Sequence, residues 1–284
     1  MRYRAIDEFR AVIRTAPPKG PVAAVIAEDD REVESTLAHL ARASFAERVL
    51  LAPPELTLPD DAGHTRRIDA RTLAVDATET LVNSLIAALP EGTWLHYCYN
   101  AEYLFYPFAE TRSVGEMLTF HAEERRDAML TYVVDLYADD LTRSHDAVDR
   151  DRAHLDRSGY YALARGDGSR DRQLDFFGGL RWRFEEHIPE TRRRIDRIGL
   201  FRVRPGLRFR ADHTLSDEEM NTFACPWHNN LTAAIVSFRT AKALRINPAT
   251  RYGIDTFLWS GSVPFEWSSR QLMDLGLMEP GQWF

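Results

Sequence analysis

Acidic and amide side chains follow two predicted strands of this chain. The acids Glu28-Asp29-Asp30 come directly after the apolar run from Pro21 to Ala27, and Tyr99-Asn-Ala-Glu102 ends an aromatic run. Acids at the carboxyl end of a strand can receive a nucleobase or a ribose where an α/β sheet changes direction. Helix capping explains Glu28 equally well, and it is the favoured interpretation of Asp29 because Glu32 follows at capping-box spacing.

Cysteine and histidine side chains offer a second kind of chemistry. Cys225-Pro-Trp-His228 and His213 supply three ligands that zinc accepts, but the only other cysteine is Cys98. A structural zinc site needs four well-spaced ligands, so a buried cysteine beside a packed tryptophan is the favoured interpretation. A cysteine nucleophile at Cys225 is an equally weak pattern. The sequence carries no serine elbow, Walker loop or dinucleotide glycine fingerprint.

Composition narrows the class of protein. The net charge of −7 argues against a general nucleic-acid binder, which needs a basic excess to neutralise phosphates. No segment approaches the roughly eighteen apolar residues of a membrane span, and the first residues carry no secretory h-region. Two cysteines exclude a disulfide framework. We therefore expect a cytoplasmic protein with no integral membrane segment and no nucleic-acid partner.

The elements that must position these residues have an α/β pattern. Residues 20–54 read as one strand–helix–strand unit whose first turn faces a ligand crevice. Thr93 to Tyr99 reads as a central strand that delivers a loop, Asn100 to Pro107, to the edge of that crevice. Met129 to Tyr137 and Ile198 to Val203 read as further strands.

Helices are predicted from capping pairs and apolar periodicity. Capping pairs occur at Asp76 and Glu79 and at Ser113 and Glu116. An amphipathic helix is predicted to begin at Asn229 or Asn230, with an apolar side formed by Leu231, Ala234, Ile235, Phe238, Ala241 and Leu244. A final short helix ends near Gly276.

Together these elements predict a single α/β domain with a mixed sheet flanked by helices. It spans residues 1–250 and includes a polar surface excursion at 139–172, which could hold an acceptor-binding or disordered loop. Residues 251–284 form an aromatic tail packed on it. Its Trp259, Trp267 and Trp283 could form a glycan or protein surface, or could equally pack over the core.

Several short motifs follow one another along the chain in a recognisable order. They are Val22 to Asp30, Trp94 to Pro107, Asp135-Leu-Tyr137, Gly178-Gly-Leu-Arg181 and Leu200 to Gly206. Their joint order resembles that of the bacterial family 2 glycosyltransferases and related family 92-type proteins. The resemblance covers most of residues 20–245. It implies a nucleotide-sugar-binding fold of the GT-A type, with a nucleotide-sugar donor and a glycan or other hydroxyl acceptor as partners.

At the family's metal site the sequence departs from the pattern. The family has Asp-x-Asp-Glu, whose carboxylates hold Mn²⁺ or Mg²⁺ on the sugar-nucleotide diphosphate. This chain has Tyr99-Asn-Ala-Glu102, so Tyr99 and Ala101 replace both aspartates and only Glu102 is retained. The resemblance therefore implies a degenerate metal motif and no certain cofactor.

Basic residues depart from the family pattern as well. Ser237-Phe-Arg239 stands where the family often has His-Phe-Lys, and Arg197 stands where a lysine is usual. His213 matches a histidine that can ligate metal or contact diphosphate in such proteins.

Three hypotheses follow. The first is a glycosyltransferase without the usual metal pair, in which Arg181, Arg197 or Arg239 offsets the diphosphate charge and Glu102 orients the sugar or acts as a base. In this hypothesis Glu28, Asp29, Asn100 and His213 bind the nucleotide. Alternatively, each arginine forms a surface ion pair.

The second hypothesis is a catalytically inactive relative that binds a nucleotide, a glycan or a protein. The third is an enzyme that recruits Mn²⁺ or Mg²⁺ through other ligands, such as Glu28, Glu102, His213 and His228.

Overall fold

The computed structural model describes residues 1–57, 65–164, 174–222 and 230–283. Its helices and strands, in chain order, are β1 (Arg2–Tyr3), α1 (Ile6–Thr15), β2 (Val22–Ile26), α2 (Val33–Arg42), β3 (Glu47–Ala52), β4 (Thr65–Asp69), α3 (Ala77–Ala88), β5 (Trp94–Tyr99), β6 (Glu102–Phe105), α4 (Val114–Glu123), β7 (Ala128–Ala138), β8 (Ala153–Asp156), β9 (Tyr161–Ala164), β10 (Leu174–Phe177), α5 (Gly179–Arg183), β11 (Asp196–Arg202), β12 (Ala233–Ser237), α6 (Arg239–Ile246), β13 (Ser262–Pro264) and α7 (Ser269–Asp274).

The fold is mixed α/β, with a large mixed sheet flanked by helices, as the sequence predicts. Eleven of the described strands belong to that sheet, and β9 and β10 form a separate antiparallel pair. The chain divides into two compact units, whereas the sequence favoured one domain. The first unit is Met1–Tyr103, Thr111–Leu130 and Ile198–Asn221, and the second is Leu104–Glu110, Thr131–Arg197 and Thr222–Phe284.

In the first unit the strand order is β1-β4-β3-β2-β5-β11. Strand β2 is parallel to β3 on one side and to β5 on the other, and β11 is antiparallel to β5. All five residues of β2 are buried because both of its faces are covered, which is why its sequence is an unbroken apolar run. The predicted strand–helix–strand unit at 20–54 is confirmed as β2, α2 and β3.

In the second unit β7 and β12 are neighbours in the strand order, and β6 follows β12. Strands β7 and β12 are parallel, with Asp135 opposite Ser237. Strand β8 is antiparallel to β7, and β13 is antiparallel to β8.

The helix predicted from Asn229 or Asn230 through Leu244 is wrong in its first half. Residues Ala233–Ser237 form the buried strand β12, and the helix α6 begins only at Arg239. A run of consecutive apolar residues fits a doubly buried strand as well as one face of a helix, so periodicity alone could not separate the two. Asn229 lies outside the described residues.

Two segments predicted as loops contain strands. Ala153–Asp156, within the predicted polar excursion, forms β8 and buries Ala153 and Leu155 on one side. Glu102–Phe105, within the predicted crevice loop, forms β6 and is buried throughout. Both strands are only four residues long, and the charged residues around β8 conceal its alternation.

Of the predicted capping pairs, one is confirmed in full. Ser113 and Glu116 form a reciprocal capping box at the start of α4. Helix α3 follows Asp76 as predicted, but no side-chain cap bond forms there. At α2 the N-cap is Glu32, which has a φ of 57° and makes no side-chain cap bond, so the capping interpretation of Asp29 is wrong.

Among the described residues, none of the helices combines the length and the apolar character that crossing a bilayer requires.

Candidate functional site

The carboxyl ends of β2 and β5 form the point in the first unit where the strand order reverses. From β2 the chain passes outward to β3 and then β4, and it returns to form β5 on the other side of β2. At such a switch point the two following loops leave in opposite directions, and α/β proteins bind ligands in the crevice between them. Here those loops are 28–32 and 100–101.

Asn100 joins the two loops. It is fully buried. Its side-chain oxygen accepts the backbone N–H of Glu28 at 2.9 Å, and its Nδ2 donates to the Asp29 carboxylate at 2.6 Å and to the Arg31 carbonyl at 2.8 Å. The amide uses its oxygen and both N–H groups, so it fixes the acidic loop rather than presenting itself to solvent.

The acidic loop is held at its far end as well. Asp29 Oδ1 also accepts the backbone N–H of Arg31 at 3.0 Å, which closes a local turn. The Glu32 carboxylate accepts hydrogen bonds from the hydroxyls of Ser35 and Tyr103. These bonds hold Glu32 in its left-handed conformation, which costs a non-glycine residue about 1–3 kcal/mol. Glu28 is half-buried, and its backbone N–H is held by the side-chain oxygen of Asn100.

Glu102 stabilises the turn between β5 and β6. Its carboxylate accepts the backbone N–H of Tyr99 at 2.9 Å, and the side chain is 1% exposed. Ala101 has a φ of 59°, and its N–H donates to Thr36 Oγ1 at 3.0 Å. A carboxylate placed in this way shapes the turn that carries Asn100, and its burial keeps it from a dissolved acceptor.

The residues at the degenerate motif do not fit Mn²⁺ or Mg²⁺. The hydroxyl of Tyr99 is engaged with Thr78 Oγ1 at 2.5 Å, Ala101 has no donor atom, and Glu102 is bound to a backbone N–H. Hard cations need several oxygen ligands. Within the described ranges, no three His, Cys, Asp or Glu side chains are grouped so that they could hold a metal ion.

His213 lies among aromatic side chains of the first unit. Its Nδ1 is 2.8 Å from the hydroxyl of Tyr97, its ring is parallel to that of Tyr97 at 6.0 Å, and Phe209 packs edge-on against it at 5.8 Å. Cys225 and His228 are the other residues of the predicted zinc pattern. Both lie outside the described residues, so the zinc prediction stays a prediction.

In the second unit, Asp135 is the last residue of β7 that pairs with β12, opposite Ser237 at the carboxyl end of this parallel pair. It is 1% exposed, and within the described part of the chain neither carboxylate oxygen makes a close, well-aligned hydrogen bond. The nearest cation is Arg181, whose Nε is 3.9 Å from Oδ1. Burial raises the pKa of Asp135, and the opposing effects of Arg181 and Thr240 do not cancel that shift.

The three candidate arginines all belong to the second unit. Arg181 donates from Nη1 to the Arg194 carbonyl at 2.5 Å and from Nε to Thr240 Oγ1 at 3.3 Å, which aims it at the Asp135 edge. Arg197 is 5% exposed. Arg239 is half-buried as the first residue of α6, and its backbone N–H donates to Ser237 Oγ at 3.2 Å.

Asp156, at the end of β8, is another buried carboxylate of this unit, and it was not predicted from the sequence. Asp156 is 1% exposed and accepts from Tyr137 Oη at 2.5 Å, Trp259 Nε1 at 2.7 Å and Arg183 Nη1 at 3.0 Å. Burial is the main cause that raises the pKa of Tyr137. The sequence signal was the alternation of Ala153 and Leu155, which places Asp156 at the end of a half-buried strand.

The tail tryptophans divide between packing and partial exposure. Trp283 is 8% exposed and packs against Phe108 at 5.9 Å, and Trp267 donates from Nε1 to the Arg150 carbonyl at 3.0 Å. Trp259 is 36% exposed, although its Nε1 is bound to Asp156 and Arg183 stacks over its ring at 4.9 Å. Of the three tail tryptophans, Trp283 therefore fits best the alternative in which the side chain packs over the core.

Comparison with known proteins gives no family assignment: no protein-family model matches the chain, and no curated protein matches it either.

Proposed function

We propose that this chain is a glycosyltransferase-like protein that binds a nucleotide-sugar donor without the usual metal pair and transfers the sugar to a hydroxyl acceptor. The observation that carries the proposal is the switch point between β2 and β5, where Asn100 fixes an acidic loop around the half-buried Glu28. Ligands of α/β proteins bind at such points, and a carboxylate there can accept hydrogen bonds from ribose hydroxyls. We also propose that the fold is of the GT-A type, because the order of the motifs resembles that of the glycosyltransferases named above.

In this proposal arginine replaces the metal. Transfer leaves a diphosphate whose negative charge must be offset, and the guanidinium group pairs phosphate oxygens bidentately. Arg197 is buried, whereas Arg181 and Arg239 are half-buried, so these two are the arginines to test first. Glu102 acts by holding the turn that presents Asn100.

A second candidate is a catalytically inactive relative that binds a nucleotide, a glycan or a protein. It is favoured by the loss of both metal-binding aspartates at once, because Tyr99 and Ala101 leave no oxygen ligand for the cation. A turnover assay separates the two candidates. An enzyme releases nucleoside diphosphate from a nucleotide-sugar faster when a glycan acceptor is added, whereas an inactive binder releases none above the background without protein.

The binding step is tested by calorimetric titration with uridine, guanosine and cytidine diphosphates. We expect one nucleotide to bind, and Glu28→Gln to weaken its affinity about tenfold through loss of a charged hydrogen bond. Glu91→Gln is the matched control, because Glu91 is exposed and precedes the opposite end of β5. Equal affinities of both variants would contradict the assignment of the crevice. Arg239→Ala and Arg181→Ala in the same titration test the diphosphate contacts.

A further inference from the structure

Strand β9 forms one edge of the two-stranded sheet in the second unit. Within the described ranges, β10 is the only strand that pairs with β9, and the two strands are antiparallel. The other side of β10 is covered, because the carbonyl of Phe176 accepts the backbone N–H of Ile195 at 2.8 Å. The open edge of this sheet therefore belongs to β9.

The hydrogen bonds of Phe176 indicate which backbone groups of β9 face that edge. Its N–H donates to the Asp196 carboxylate at 2.7 Å, and its carbonyl accepts from Ile195, so both groups are bonded on the side away from β9. Ala162 lies opposite Phe176, and these two residues therefore form a pair without mutual hydrogen bonds. Because hydrogen-bonded and non-hydrogen-bonded pairs alternate along an antiparallel ladder, Ala162 and Ala164 direct their N–H and C=O groups to the open edge.

The sequence of β9 lacks the features that protect the edge of a sheet. Exposed edges usually carry charged residues or proline, whereas β9 is Tyr-Ala-Leu-Ala. The side chains of Tyr161 and Leu163 are 44% and 54% exposed. Trp182, which is exposed as well, packs over Gly159, two residues before the strand. An unprotected edge of this kind is a template for pairing with a strand of another chain.

The charge and the periodicity of β9 favour a second copy of this chain as that strand. A two-fold axis brings each charge against its own copy, and β9 carries none that would repel. With the axis at Leu163, Ala162 of each copy lies opposite Ala164 of the other, so every outward N–H and C=O group of the two strands is bonded. The two Leu163 side chains then meet directly, on the same face of the sheet as Tyr161.

We propose that this chain forms a homodimer in which the β9 strands of two copies pair antiparallel about a two-fold axis at Leu163. The result is a four-stranded sheet with the order β10-β9-β9-β10. Each end of this sheet is a covered side of β10, so assembly stops at two copies. The proposal concerns residues of the second unit alone and goes beyond the proposed function, because it needs no nucleotide.

Sedimentation velocity with the full chain tests the dimer. We expect the sedimenting species to change from a monomer to one of twice its mass as the protein concentration rises. Leu163→Asp replaces an apolar contact by two like charges directly opposite each other, so it should weaken the dimer by more than about tenfold. Ile246→Asp is the matched control, since Ile246 is 57% exposed at the end of α6 in the same unit, and it should dimerise like the native chain.

Cysteine cross-linking tests the position of the axis. In Leu163→Cys the two Cβ atoms would lie about 4.5 Å apart, which permits a disulfide, so mild oxidation should give a covalent dimer. In Tyr161→Cys the two copies of the thiol would lie roughly 13 Å apart along the sheet, so a covalent dimer should not form. The native chain, oxidised in the same way, gives the baseline.

Three results would overturn the proposal. A monomer at every concentration would do so, and would leave the edge of β9 open to an extended segment of a different protein. A dimer that Leu163→Asp does not weaken would place the interface elsewhere. Equal cross-linking of Tyr161→Cys and Leu163→Cys would contradict the two-fold register at Leu163.

Discussion

The side-chain amide of Asn100 donates to the carboxylate of Asp29 at 2.6 Å, which joins the loops that follow β2 and β5. The two residues are far apart in the sequence and meet because β2 and β5 are parallel neighbours that end at the same edge. The shape of the proposed nucleotide crevice therefore depends on one buried amide.

Replacing that amide is expected to loosen the crevice. Asn100→Ala removes three hydrogen bonds and leaves the Glu28 N–H and the Arg31 carbonyl without this partner, so we expect a loss of about 1–3 kcal/mol in the free energy of unfolding and loss of nucleotide binding. Urea denaturation and calorimetry measure the two effects.

Asn83→Ala provides the matched control for this change. Asn83 bonds the backbone of Phe209 through both ends of its amide, outside the crevice. A similar loss of stability with retained nucleotide binding is expected. Retained binding in Asn100→Ala would contradict the crevice assignment.

Glu102 is expected to act on stability more than on the chemical step. Glu102→Gln keeps an oxygen that accepts the Tyr99 N–H, so the variant should fold and should keep any transferase activity within a few-fold of the native chain. Glu102→Ala should lose about 1–3 kcal/mol of unfolding free energy. A loss of turnover in the glutamine variant without a loss of stability would instead show that the carboxylate is the base.

His121 makes stability depend on pH. Burial lowers its pKa to about 4 from an ordinary 6.5, and its Nε2 bonds the Ala128 carbonyl at 2.8 Å. The unfolded chain therefore takes up a proton below pH 6.5, while the folded chain does not until about pH 4. As pH falls through this window, the free energy of unfolding should drop by roughly 3 kcal/mol from this residue.

Denaturation at pH 7 and near pH 4 measures this contribution. His121→Gln keeps a donor for Ala128 and should reduce the drop, whereas the control His145→Gln, at an exposed position, should leave it unchanged. An identical drop in all three proteins would contradict the role of His121.

Asp135 should change the free energy of unfolding with pH in the direction opposite to His121. Its pKa is raised above the ordinary 3.8, chiefly by burial, with Arg181 and Thr240 opposing and Asp156 adding to the shift. Because the folded chain holds the proton more tightly, stability is lost as pH rises from that ordinary value through the folded pKa. Asp135→Asn should therefore be more stable than the native chain at pH 7 and should lose this advantage at acid pH. Greater stability of the native chain at pH 7 would show that Arg181 and Thr240 outweigh the cost of burying the Asp135 carboxylate, and would contradict this prediction.

The first unit could be predicted from the sequence because its signals are local. The apolar run of β2, the periodic face of α2 and the second apolar run of β3 each identify their own element, and short connections fix their order. The order of these elements alone predicts that Asn100 and Glu28 lie at the ends of strands that border a ligand crevice. The bond that joins them needs the pairing of β2 with β5, which no local pattern contains.

The second unit could be predicted only in part because its buried groups come from distant segments. Asp156 belongs to a four-residue strand within a charged stretch, and its partners Arg183 and Trp259 come from α5 and the tail. Strand β12 was mistaken for a helix because its burial on both faces removes the alternation that marks a strand. Clusters of buried groups that come from distant segments, such as the one around Asp156, can be predicted only when the strand pairing is known.

The most direct test of the central claim is whether nucleotide binding is independent of divalent metal. Calorimetric titration of the native chain with the diphosphate panel is run once with Mn²⁺ and once with a chelator. The predicted result is one nucleotide with the same affinity in both, because Tyr99, Ala101 and Glu102 leave no cation site. Binding that requires Mn²⁺, or no binding of any nucleotide in either condition, would contradict the proposed function.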